Sequence, residues 1–205
     1  MAPGDVVQNV AGVDVAYDRS GRWCAAAAAI LSWPHLRVVG EAVRLGPVEA
    51  PYRPGDLAAR EAGPILGALR DVAPPPDLVL VDGHGLAHPR RRGLACAVGE
   101  GIRVPTVGVA KEPLVGRWAP PLSARGAWAP VQDQGEMVGA VVRTRADVKP
   151  VFVSVGWGLT LTEAIRWILR LSPRYRLPEP LRAAHAWAGQ ALRKAPALTN
   201  AVLCD

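Results

Sequence analysis

The chain has 205 residues, half of them hydrophobic, with a formal net charge of +6 and an isoelectric point near 9.8. That length suits one domain with a substantial core, and no apolar run approaches the ~18 residues of a membrane span. Three scattered cysteines, Cys24, Cys96 and Cys204, lack the close pairing of a zinc site or a disulfide framework. No basic and apolar leader marks the N-terminus for export, so the expectation is a cytoplasmic monomer with reduced thiols, one domain over 1–205 and no membrane contact. The cations are 21 arginines and three lysines. Such a balance suits a polyanionic partner, and a general codon bias accounts for it equally well.

Three β-patterned runs come first: VAGVDVAYD (10–18), RWCAAAAAILSW (22–33) and LRVVGEAVRLG (36–46), joined by RSG and PH. Links this short favour antiparallel neighbours. They leave little room for a crossover, which assigns the alanine run to a strand against its helix propensity. After PYRPGD a helix is predicted over 57–72, with Asp56 as N-cap, Leu57, Ile65, Leu66 and Leu69 as its apolar stripe, and a bend at Gly63-Pro64. The link APPPD leads into LVLVDG, an all-apolar run typical of a parallel strand buried on both faces. A short helix over RRRGLACAVGEG and a second buried strand, PTVGVAK, follow. Strands at 137–143 and 151–155 and helices at 160–171 and 181–194 complete the chain. Helices between apolar strands imply right-handed parallel crossovers. The expected class is α/β: a ribonuclease H-like mixed sheet, three antiparallel strands then parallel strands, with helices on both faces.

Asp14 lies between Val13 and Val15 in a strand otherwise committed to burial, where a carboxylate without partners is costly. A metal would satisfy it, and so would a backbone or arginine hydrogen bond. Asp82 ends a buried parallel strand, the place where α/β sheets put their ligands. Glu61, about one turn into the helix, can lean toward the same edge or pair with an arginine at the surface. Three carboxylates around a gap suit a hard cation, Mg²⁺ with Mn²⁺ as a substitute, which takes oxygen ligands and polarises a phosphate oxygen. Lys111, ending TVGVA, can offset the charge that grows on a phosphorane. His88 can touch the phosphate or pass a proton. His84 is expected to hydrogen-bond locally, because a hard ion prefers oxygen.

VAGVDVAY, PYRPG with ARE soon after, VDGHGLAHPRRRG, PTVGVAK and RLPEPLRAAH occur in this order along nearly the whole chain, and they resemble endonuclease V. The resemblance implies a Mg²⁺-dependent endonuclease of DNA repair that recognises hypoxanthine, the base of inosine. It hydrolyses the second phosphodiester bond on the 3′ side and leaves 3′-hydroxyl and 5′-phosphate ends. DNA or RNA containing inosine is the implied partner, and a binder that has lost turnover is the alternative. Asp14, Glu61 and Asp82 correspond to the metal centre, with His88 and Lys111 at the scissile phosphate. Tyr52 corresponds to a wedge that opens the helix while the base leaves its stack. Gly55, Leu57, Gly83, Gly93, Gly108, Ala110 and Leu114 correspond to the pocket of the flipped base, where glycines let backbone amides approach. Arg90, Arg91 and Arg92 would open the following helix and hold neighbouring phosphates or form a solvated face; Arg53 departs from the family, standing where an aliphatic residue is common, and would gain a further phosphate contact. His185 matches a family histidine near the active face, in a supporting role. Two further departures stand out: the N-terminus is shortened ahead of the first strand, and Gly156-Trp157 replaces a usual Gly-His, which bears on DNA contacts or the sheet edge.

Overall fold

Turn-sized links make the first three strands, β1 (Asn9–Tyr17), β2 (Trp23–Ser32) and the exposed edge strand β3 (Val38–Pro47), an antiparallel meander in which Asp14 faces Ala27 and Ala27 faces Val43. The computed structural model describes residues 7–51, 53 and 55–195; Tyr52, the expected wedge, lies outside them. The alanines of β2 are fully buried, and alternate members serve different layers. Ala26 and Ala28 pack with Ile65 and Ala68 on one face, while Ala25, Ala27 and Ala29 pack with Ala184 and Ala188 on the other. Methyl-sized side chains let helices sit close on both faces, so packing overrides alanine's helix propensity.

The helix α1 (Leu57–Asp71) runs through Pro64 as a single element. It leads to β4 (Leu78–Asp82), α2 (Leu94–Ile102) and β5 (Thr106–Ala110). Val13 stands beside Val81 and Val81 beside Gly108 in parallel register. Beyond β5 the sheet turns antiparallel. In β8 (Val151–Trp157), Phe152 lies antiparallel opposite Ala110, and β7 (Glu136–Val142) and β6 (Trp128–Asp133) continue antiparallel in the order β3-β2-β1-β4-β5-β8-β7-β6. No helix separates β6, β7 and β8, and antiparallel neighbours need no crossover. The strand β6 has no counterpart among the sequence expectations because Pro130 interrupts its pattern. At the edge of a sheet the missing N–H costs little.

α1 and α2 cover the face carrying Ala11, Val13, Val79 and Val81. α3 (Leu161–Leu171) and α4 (Glu179–Lys194) cover the opposite face, which carries Val10, Leu78 and Leu80. A capping box starts α3, where the Thr160 hydroxyl accepts the Glu163 amide and the Glu163 carboxylate accepts the Thr160 amide. α4 docks through a backbone contact. A Cβ on Gly12 would lie 2.1 Å from the Pro180 carbonyl carbon, so only glycine lets the helix start this close to β1. Two residues on and on the same face, Asp14 then meets His185 of that helix. Cys24 and Cys96 are buried free thiols. Among the described residues no helix is long and apolar enough to cross a membrane.

Candidate active site

The sheet topology sets two carboxylates side by side. Because Val13 and Val81 are register partners, the next residues, Asp14 and Asp82, share the α4 face where β4 ends. The Asp14 carboxylate accepts the Val15 amide at 2.9 Å through Oδ1 and meets His185 Nδ1 at 2.7 Å through Oδ2. Asp82 accepts from Lys111 Nζ at 2.9 Å, which brings the end of β5 to the same place. Lys111 is itself braced, since the Arg176 guanidinium donates to its carbonyl at 3.0 Å and to that of Pro150 at 2.8 Å.

Glu61 reaches this edge from α1, on the opposite face. It is only 7% exposed, and its Oε1 accepts the Tyr17 hydroxyl at 2.7 Å. Burial, and then the nearby charge of Asp82, raise the Asp14 pKa above its ordinary value, partly offset by His185. Burial pushes Glu61 from 4.5 up to about 7, with Asp14 and Asp82 adding to the rise and the Tyr17 bond opposing it. Asp14 and Glu61, each costlier to ionise where it is, form with Asp82 an all-oxygen donor set of the kind a hard divalent cation takes. Among the described residues, however, no three acidic, imidazole or thiol groups already enclose an ion position. The reason is geometric: Asp14 and Asp82 belong to one face of the sheet and Glu61 comes round from the other. The oxygen donors of Asp14, Asp82 and Glu61 suit the chemistry of such an ion.

At the turn that follows Asp82 in the chain, a cavity of about 130 Å³ is lined by Arg53, Gly55, Leu57, Ala58, His84, His88, Leu94 and Leu114. That is well below the ~300 Å³ of a small drug site and suits one planar base. Of the residues expected in this wall, Gly55, Leu57 and Leu114 are there, and Gly83 stands behind Leu57 and Leu94. Gly93, Gly108 and Ala110 are not. A Cβ on Gly93 would press on the His84 carbonyl at 2.3 Å and one on Gly108 on the Gly83 carbonyl at 2.6 Å, so both glycines fold the DGHG turn from beneath. Ala110 packs with Phe152. Leu94 and Ala58 line the cavity as well, each from the first turn of its helix, and no local sequence pattern distinguishes them from core residues.

His88 was expected at the phosphate. It is buried, with Nε2 donating to the Gly55 carbonyl at 2.9 Å and Nδ1 accepting the Arg90 amide at 3.2 Å. Both ring nitrogens are therefore engaged, and burial holds its pKa below the ordinary imidazole value. In this state His88 fastens the Gly55 segment to the turn. Arg90, Arg91 and Arg92 do not open α2, which begins at Leu94; they precede it in a turn. Arg91, with φ of 51°, bends that turn. Its guanidinium meets Asp133 Oδ2 at 2.8 Å and Glu136 Oε2 at 3.0 Å, tying the turn to the β6–β7 hairpin. Arg92 pairs with Glu100. Arg90 meets the Asp56 carboxylate at 2.7 Å, in place of the side-chain cap expected from Asp56. Arg91 is 26% exposed, against 63% for Arg90 and 59% for Arg92. Arg90 and Arg92 are thus the more exposed of the three, and Arg91 is the one bound into the fold. Arg91→Ala should therefore destabilise the fold through its lost charged hydrogen bonds, read as a lower melting temperature. The salt dependence of nucleic-acid binding should stay that of the parent.

Trp157 lies opposite Thr106, at the start of β5, and so at the far end of that strand from Lys111. The departure from Gly-His therefore bears on packing around Gly99, where a Cβ would approach the Trp157 Cβ to 2.4 Å.

A model of the endonuclease V family matches residues 2–186. The chain belongs to the endonuclease V family. Endonuclease V of Streptomyces coelicolor is 49% identical over 187 residues, which span 91% of this chain and 80% of that protein. The crystal structure of endonuclease V from Streptomyces avermitilis superposes with a TM-score of 0.89 at 44% identity, over 93% of this chain and 84% of that one. Endonuclease V of Ciona intestinalis, crystallised with a 24-mer DNA containing an inosine followed by a ribo-adenosine, superposes at 0.79 with 26% identity, over 92% and 87%. The protein is thus an endonuclease V-type nuclease with the ribonuclease H-like α/β arrangement.

Proposed function

We propose that this endonuclease V family member uses Mg²⁺ to hydrolyse the second phosphodiester bond 3′ to a hypoxanthine base, as a DNA-repair nuclease. The observation that carries the reading is the Asp14–Asp82 pair flanked by Lys111, with a cavity the size of one base lined in part by His84 of the turn that follows Asp82. Asp14, Asp82 and Glu61 would hold the ion, which when bound supplies Lewis acidity at the scissile phosphate. Lys111 offsets charge on the pentavalent phosphorus, and His185 keeps Asp14 turned toward the edge. Leu57, Ala58, Leu94 and Leu114 provide apolar contact for a flipped base, whose extrusion costs a few kcal/mol, least for a poorly paired base. Tyr52 is the wedge in this reading, and Arg53, Arg90 and Arg92 contact flanking phosphates.

The test is a duplex with a single deoxyinosine, incubated with protein and Mg²⁺ alongside an adenosine control. One nick displaced from the lesion by a nucleotide, with a 3′-hydroxyl end, is expected on the inosine strand alone. Inosine-selective binding without product under any divalent ion would replace the reading with that of a binder. The Ciona DNA carries a ribonucleotide directly after its inosine, which motivates a second reading as an inosine-specific endoribonuclease. Competition between matched DNA and RNA strands separates the two.

A further inference from the structure

Tyr17 ends β1 on the α1 face, three residues beyond Asp14 and pointing to the other side of the sheet. Its hydroxyl donates to Glu61 Oε1 at 2.7 Å, while the Arg60 guanidinium lies over its ring, 4.1 Å from the centroid. Arg60 and Glu61 are sequence neighbours on α1, and side chains at i and i+1 of a helix do not face each other. A tyrosine touching both therefore clamps the first turns of α1 to the end of β1 at two points. The clamp acts on the one acidic side chain that must come round from the far face to join Asp14 and Asp82.

We propose that Tyr17 is a positioning residue that orients the Glu61 carboxylate toward the divalent-ion site and thereby sets the affinity for the ion. The inference rests on the reading of Asp14, Glu61 and Asp82 as ion ligands. A carboxylate has two oxygens, and fixing one with a short hydrogen bond aims the other without consuming it. Outer partners that orient ligands in this way typically change metal affinity by about 10–100-fold when removed. The ring stacked under Arg60 makes the hydroxyl itself well placed, and replacing it with phenylalanine leaves ring, stacking and β1 packing in place.

The deciding experiment measures Mn²⁺ binding by electron paramagnetic resonance, without nucleic acid, for the parent, Tyr17→Phe, Glu61→Gln and the double variant. Tyr17→Phe should weaken Mn²⁺ about 10-fold in the parent background and have no further effect once Glu61 is glutamine. A residue that merely stabilised the fold would weaken binding equally in both backgrounds, and that result overturns the proposal. Unchanged or tighter binding in Tyr17→Phe also overturns it, as does a parent that takes up no divalent ion. In the cleavage assay the half-saturating Mg²⁺ should rise in step, with the rate at saturating Mg²⁺ close to the parent's. If the parent binds Mn²⁺ but cuts no inosine strand, the substrate reading fails while the Tyr17 comparison still decides this one.

Discussion

Replacing Asp82 with asparagine should lower the single-turnover rate of inosine-strand cleavage by about 10³-fold, equivalent to about 4 kcal/mol of barrier. An amide has the shape of the carboxylate but brings no charge to a divalent ion. The fold should survive, because the Asp82 side chain sits at the end of β4, is 23% exposed, and meets Lys111 rather than the core. Removing its charge also relieves the repulsion that it exerts on Asp14 and Glu61, so the variant should melt no lower than the parent. Asp82 could instead matter only by orienting Lys111, and the metal dependence separates these roles. Asp82→Asn should raise the half-saturating Mg²⁺ concentration, whereas Lys111→Met should slow cleavage by about 10²-fold with that concentration unchanged. Cleavage by Asp82→Asn at the parent's rate would remove Asp82 from the ion site.

The chemistry of the site was more legible in the sequence than its wiring. Asp14 and Asp82 could be read because an acidic residue in an apolar strand is conspicuous, and because strand order follows from short links and crossovers. Their adjacency was a consequence of topology. Glu61 was ambiguous, since a helical glutamate one turn in has the same pattern whether it faces solvent or a carboxylate pair. Only the burial of the helix face against β2 resolves it. What the sequence could not convey is how polar groups partner over long separations. The Tyr17–Glu61 bond spans 44 residues and the Arg91–Asp133 pair 42, and no local pattern marks either. The three arginines of PRRRG look equivalent in composition. They become distinct only when the β6–β7 hairpin, whose first strand a proline disguises, folds against the middle one.

Glu61 carries the second large prediction, a stability that falls as pH rises in the absence of metal. In the folded chain burial holds the Glu61 pKa at about 7, with Asp14 and Asp82 contributing, against an ordinary value of 4.5. Between those two pH values the folded state binds more protons than the unfolded one, so stability decreases with increasing pH. The contribution is fully present below about 4.5 and is lost as pH passes through 7; its size is on the order of 3 kcal/mol. Asp14, raised for the same cause, adds to the fall in the same direction. Metal-free protein should therefore show a denaturant midpoint that drops from pH 5 to pH 8, and Glu61→Gln should flatten most of that drop, because the amide has no proton to lose. A divalent ion acts on the opposite side of this balance. It binds the ionised carboxylates and stabilises the folded chain by mass action, so Mg²⁺ should raise the midpoint at pH 8 and do little at pH 5, where it must displace a proton from Glu61. Were the metal-free Glu61→Gln protein to keep the parent's pH slope, the cost of ionisation would lie elsewhere, and Glu61 would be a carboxylate that its surroundings already satisfy.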